Sequence, residues 1–240
     1  LSADRKRAVS RTLVPPGDPR GRELFLRRDV AGDACWYEPL LAELMALTGV
    51  PLLGERLTPA GQIAVFSMIS RIAFKRLTPI RGEVIGHAEI TRDRGNFTVF
   101  STRAEVAGEI LLEAEVMSGV AAFTDLSSRA AIPSAVPSGA QVDPSWYDWK
   151  SPHMRFIDTI IQTDAASRTL SAGFRYPAQH PLIPGHFPGA PVMMGVTQWA
   201  AVADAAIAAC HRFGVTGDVV VQGTIKRTDG TEILDVRDLV

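Results

Sequence analysis

The hydrophobic and polar positions of this chain fall into two stretches that repeat one order of elements. In the first, "YEPLLAELMALTG" carries Leu40, Leu41, Leu44, Met45 and Leu47 at helical spacing, and Gly49 stands where a C-cap would close the helix. A strand is predicted before it, in "RGRELFLRRDV". Three extended stretches follow: "IAVFSMISRIAFKRLTPIRGEVIGHAEITRD", "NFTVFSTRAEVAG" and "EILLEAEVMSGVAAF". Phe97, Val99, Ser101 and Arg103 recur at the two-residue period of a strand, and "RDRGN" and "AGE" read as hairpin turns. The first stretch therefore predicts a strand, one helix and a meander of long antiparallel strands.

The second stretch begins with two predicted strands, "MRFIDTIIQTD" and "SRTLSAGFRYP", joined by a polar turn. The Pro- and Gly-rich run "HPLIPGHFPGAPVMMG" then leads into a helix from about Met194 to Arg212. That helix is largely Ala, with Thr197, Gln198 and Asp204 its polar residues before the last turn. So apolar and small-sided a helix is a buried one that a sheet approaches closely. Two strands around an Asp-Gly turn, "DVVVQGTIKRTDGTEILDVRDLV", complete the chain. Between the stretches, "TDLSSRAAIPSAVPSGAQVDPS" reads as a linker. The predicted units are residues 1–125, a linker at 126–150, and residues 151–240. Only about 25 residues follow the second helix, fewer than follow the first. A trimmed chain or an edge covered by a partner is expected from that shortage, because proteins avoid bare sheet edges.

Composition narrows the class. At 240 residues with 46% hydrophobic and 21% charged residues, the chain reads as an ordinary globular protein with a real core. The net charge of −1 and the scattered Lys and Arg give no nucleic-acid or membrane-surface footprint. No apolar run reaches the roughly 18 residues that span a bilayer. The opening "LSADRKRAVSRT" lacks the apolar core of a secretory signal. Cys35 and Cys210 have neither metal nor redox spacing, so a reduced, cytoplasmic setting without a metal is expected.

A helix wrapped by a curved antiparallel sheet is the hotdog fold, and two in one chain make an α+β double hotdog. The loop then becomes informative. "GHFPGAPVMMGV" resembles the signature of the hotdog 3-hydroxyacyl-ACP dehydratases, a GHFPG loop followed by an apolar stretch that opens the central helix. "MRFIDTIIQTD" resembles the first strand of the same family. The likeness is strong over residues 152–199 and limited to strand pattern in the first stretch.

The resemblance implies dehydration or hydration of 3-hydroxyacyl thioesters in fatty acid or polyketide-type synthesis. Beyond the phosphopantetheine arm of acyl carrier protein or CoA, it implies no cofactor. His186 would be the base, since imidazole titrates near neutral pH and the prolines around it pre-organise the loop. Gly195 would hold the thioester oxygen with its backbone N–H at the start of the helix. Pro191, Val192, Met194, Val196 and Trp199 would line the acyl pocket. The family carries an acidic residue fourteen positions after the histidine, and here that position is Ala200. Two groups could replace it. Glu43, in "LLAELMALTG", would act from the first half across an intrachain pseudo-dimer, and Asp204 lies one helical turn beyond Ala200. His180 is expected to be structural, and His87 to face solvent or a neighbour.

The departure at Ala200 keeps three functions open. One is a hydro-lyase with His186 and either Glu43 or Asp204. Another is an acyl-thioesterase, in which a carboxylate-activated water suffices. The last is a non-catalytic acyl-binding protein. A homodimer or an intrachain pseudo-dimer is expected in each case.

Overall fold

The structure, a computed structural model, describes residues 1–14, 26–29, 31–124, 138–175, 180–182, 194–216, 220–226 and 232–239, the last two segments by backbone alone. The first half builds one five-stranded antiparallel sheet. Its strands are β1 (Arg7–Thr12), β4 (Gln62–Phe74), β5 (Val84–Asp93), β6 (Phe97–Val106) and β7 (Glu109–Ala122), in the spatial order β1-β5-β6-β7-β4. A short hairpin of β2 (Leu26–Arg28) and β3 (Ala34–Trp36) leads into helix α1 (Glu38–Gly49), which starts with Pro39 in its first turn. Helix α1 lies across this sheet, and a second, short helix, α2 (Gly54–Leu57), returns the chain to β4. This is a hotdog arrangement.

Close approach of helix to sheet is specified by small residues. A Cβ on Gly86 of β5 would stand 2.4 Å from Ser10 Oγ and 2.7 Å from Thr48 Oγ1, where those two hydroxyls hydrogen-bond at 2.7 Å. Gly49 differs from its expected role. Its φ is −80°, the chain runs on into a 3₁₀ turn at Val50–Leu52, and no left-handed cap forms. A Cβ there would stand 3.0 Å from the Phe100 ring, so a larger residue would press on that ring. The pattern in β6 is also inverted from the positions first noticed. Thr98, Phe100, Thr102 and Ala104 face the core, while Phe97 is 49% exposed. Strand β1 went unread because its residues are polar and alternate only weakly.

The described strands of the second half form two separate sheets. β8 (Ala140–Gln141), β9 (Thr159–Asp164) and β10 (Thr169–Gly173) form a sheet in the order β10-β9-β8. Helix α3 (Gly195–Phe213) lies against β10 and against β11 (Val220–Lys226), which pairs with β12 (Glu232–Leu239) as a separate hairpin. Gly214, at φ +63°, caps α3 in the left-handed conformation. Among the described residues no helix is long and apolar enough to cross a membrane.

The halves meet through one core cluster. Tyr37, Leu40 and Ala42 around α1 pack with Met194, Val196, Trp199 and Ala200 of α3. Beside it lies a buried ion pair between Lys150 and Asp204, both side chains 0% exposed. Asp204 also accepts a hydrogen bond from the Phe156 N–H at 2.7 Å, and its backbone carbonyl accepts from the Tyr147 hydroxyl at 2.7 Å. Lys150 Nζ donates to Tyr37 Oη at 3.2 Å and sits 4.8, 5.4 and 5.1 Å from the ring centres of Tyr37, Tyr147 and Trp149. Burial pushes the Asp204 carboxyl up and the Lys150 ammonium down, and their mutual attraction opposes both shifts.

Asp204→Ala is therefore expected to lower the unfolding free energy by roughly 3–5 kcal/mol, because it strands Lys150 without its counter-charge. Urea unfolding measures this. The double variant Lys150→Met with Asp204→Leu is expected to regain most of the loss.

Candidate functional site

Glu43 of helix α1 faces the sheet. The side chain is 8% exposed, and Oε2 has no hydrogen-bond partner among the described residues. It lines a cavity of about 230 Å³ enclosed by α1, α2 and the start of β4, with Phe66, Phe100 and Val116 among the apolar walls. Glu43 is the titratable group on that wall among the described residues, and Ser118 and Thr58 add hydroxyls. The Ser118 hydroxyl donates to the Val65 carbonyl at 3.2 Å. At the mouth, Leu47 is 51% and Val50 37% exposed, an apolar rim. Burial alone pushes the Glu43 carboxyl from 4.5 to about 7. At neutral pH such a group is divided between acid and base, the condition for moving protons in either direction.

Helices α1 and α3 start at Glu38 and Gly195, so Glu43 and Ala200 occupy the same place in their helices. Ala200 is fully buried in the core shared by the halves, where its small side chain lets α1 approach. The sixth residue is thus a carboxylic acid in α1 and an alanine in α3.

The other expected site residues are distributed differently. Gly195 opens α3, and a Cβ there would lie 2.8 Å from Cδ1 of Phe66, so it reaches the Glu43 cavity only through that ring. Met194, Val196 and Trp199 are buried in the core between the halves, with the Trp199 and Phe74 rings 6.2 Å apart. Asp204 does not line the Glu43 cavity and is held by Lys150 and the Phe156 N–H. His186, Pro191 and Val192 lie outside the described residues. His180 is buried, with Nε2 2.9 Å from the His153 carbonyl, and His87 faces Glu105 at 3.3 Å.

Reading the sequence missed Phe66, Lys150 and Tyr147. The last two had a signal: "WYDWK" is dense in aromatics inside an otherwise polar connecting stretch. Phe66 had none, and a β-bulge follows it directly. Phe66 pairs with Ser118 and Met68 with Met117, which leaves Ser67 as the extra residue.

No family model matches the chain, and no curated protein matches it. Solved structures resemble about half of it. A mutant of the fluoroacetyl-CoA-specific thioesterase FlK is 16% identical over 51% of this chain and 90% of its own, with a TM-score of 0.43. TTHA0967 of Thermus thermophilus, a thioesterase superfamily member, is 15% identical over 51% of this chain and 85% of its own, with a TM-score of 0.41. A hot-dog-like protein from Thermanaerovibrio acidaminovorans is 18% identical over 51% and 86%, also at 0.41.

The raised Glu43 carboxyl has a signature in stability. Between pH 4.5 and about 7 the unfolded chain releases this proton while the folded chain keeps it, so stability falls as pH rises and the loss is complete above about 7. Parent and Glu43→Gln are expected to diverge across that window by roughly 3 kcal/mol, with the parent losing ground. Urea unfolding at successive pH values measures the divergence.

Proposed function

We propose that this chain acts on acyl thioesters, that Glu43 is its acid–base group, and that hydrolysis is the reaction its site fits best. The observation that carries the reading is the buried, unpartnered Glu43 carboxyl facing an apolar cavity. Hydrolysis needs one titratable group, and Glu43 is the one on that cavity wall among the described residues. As carboxylate, it takes a proton from a water whose oxygen attacks the thioester carbonyl carbon. The tetrahedral intermediate then collapses, the carbon–sulfur bond breaks, and the departing thiolate takes the proton back from Glu43. Apolar walls and an apolar rim suit an acyl chain. The thiol would belong to the phosphopantetheine arm of acyl carrier protein or CoA.

A specific observation supports a second reading, hydration or dehydration of 3-hydroxyacyl thioesters. Glu43 holds in α1 the place that Ala200 holds in α3, and so could supply the acid that the GHFPG-type half lacks. There Glu43 would have to be protonated, to give its proton to the departing hydroxyl while His186 takes the α-proton.

The two readings need opposite protonation states, so pH separates them. For hydrolysis, kcat is expected to rise with pH through about 7, and Glu43→Gln to lower it by roughly 100-fold or more. Thiol release from acyl-CoA substrates measures both. An activity that falls through the same pH, followed at the enoyl absorbance with 3-hydroxybutyryl thioester, would assign the site to the hydro-lyase instead. Acyl binding without turnover of either substrate would leave a binding protein.

A further inference from the structure

Among the described residues, the wall of the Glu43 cavity holds a carboxyl and no counter-charge: α2, β4, β6 and β7 add no titratable group to it. The charges those elements carry are engaged elsewhere. Glu55 and Arg56 of α2 pair with Arg5 and Asp93, and Arg103 of β6 pairs with Glu105. Arg71 of β4 and Glu109, Glu113 and Glu115 of β7 stand on exposed positions, and Glu38 of α1 pairs with Arg27. Ser118, buried on the same wall, gives its hydrogen to the Val65 carbonyl at 3.2 Å. A ligand here must therefore bring the bond that Glu43 Oε2 lacks. It cannot bring a second negative charge unless a proton comes with it, because two carboxyls in one apolar site hold a single proton between them.

Hydrolysis would deliver that ligand. The attacking water gives one proton to Glu43, and that proton leaves on the thiol. The oxygen added to the acyl carbon still carries the other, so the product forms as a neutral acid beside an ionised Glu43. Two carboxyls then share one proton.

We propose that the cavity binds the free carboxylic acid released by hydrolysis, as a pair in which that acid and Glu43 share one proton. The proposal rests on the reading that the cavity takes the acyl group of a thioester. The pair carries one negative charge, as ionised Glu43 does alone, and its shared proton satisfies Oε2. Loss of that proton to solvent leaves two anions side by side, and the acid departs. Product release is thereby coupled to deprotonation.

A short fatty acid such as hexanoate is ionised in neutral solution. Below about pH 7 the free protein already holds a proton on Glu43, so binding takes up none; above about 7 the proton must come from solvent. Calorimetric titration of hexanoate, and of the neutral hexanamide, from mildly acidic to mildly alkaline pH tests this. Two buffers of unlike ionisation enthalpy count the protons. Hexanoate affinity is expected to be flat below about 7 and to fall roughly tenfold per pH unit above it, as uptake rises from none to one proton. Hexanamide is expected to change by a few-fold at most. Glu43→Gln, with folding checked by thermal melts, has no proton to lend. It is expected to bind hexanoate roughly tenfold or more weakly in mildly acidic solution and to lose the break near 7. If that variant does not fold, the proton count on the parent carries the test. The proposal is overturned if hexanoate and hexanamide share one pH profile, if no proton is taken up in alkaline solution, or if the parent binds neither. Shared-proton binding without hydrolysis of hexanoyl-CoA would sink the hydrolytic reading and leave the pairing standing. Glu43-dependent hydrolysis with hexanoate binding insensitive to pH would do the reverse.

Discussion

The register between the two halves is set by one buried ion pair beside their shared core. Asp204 projects from the middle of α3, Lys150 from the segment that enters the second half, and Tyr37 from the residue just before α1. A hydrogen-bonded chain through these three fixes the start of α1 against α3. Ion pairs removed from water seldom add net stability, because desolvating both charges offsets most of their attraction. This one is completed as far as its geometry allows: the second carboxylate oxygen takes the Phe156 N–H, and three aromatic rings surround the ammonium. Apolar side chains in its place would hold the halves together but would specify their register less sharply. The directional contacts place Tyr37, and Tyr37 places α1.

From that placement the two helices acquire different duties at equivalent positions. Ala200 faces the shared core, where a larger group would force α1 and α3 apart. Glu43, at the same place in α1, faces the sheet and its cavity. The asymmetry sets a packing position in α3 against a cavity-lining carboxyl in α1. The Asp204 carboxylate, in turn, is committed to Lys150 and the Phe156 amide.

Much of the fold was legible in the sequence because it rests on local patterns. The helical periods of α1 and α3, the turn at "RDRGN" and the long strands β6 and β7 emerge from residue spacing, whereas β4 and β5 fell within one expected extended stretch. What escaped depends on contacts between distant segments. Gly49 looks like a cap until Phe100, from a strand far along the chain, is brought against it. Lys150 reads as a solvated linker charge until Asp204 is folded over it. Glu43 was expected as an acid acting across the halves, but the cavity it lines was not. Its raised carboxyl comes from burial under α2 and β4, which no spacing within α1 encodes.

An unpaired carboxyl inside a protein usually escapes its cost, either by finding a partner or by rotating into water. Here α1 is held against both escapes. Below it, Gly86 lets the helix settle onto β5, where Thr48 and Ser10 bond to each other. At its C-terminal end Phe100 fills the space beside Gly49, and at its start Tyr37 is tied to Lys150. Turning α1 far enough to expose Glu43 would break all three contacts and open the core it shares with α3. Retaining a proton on one carboxyl is the smaller cost. The contacts that seat α1 on its sheet and tie its start to Lys150 therefore keep Glu43 buried, without a hydrogen-bond partner at Oε2 among the described residues, and titrating near neutrality.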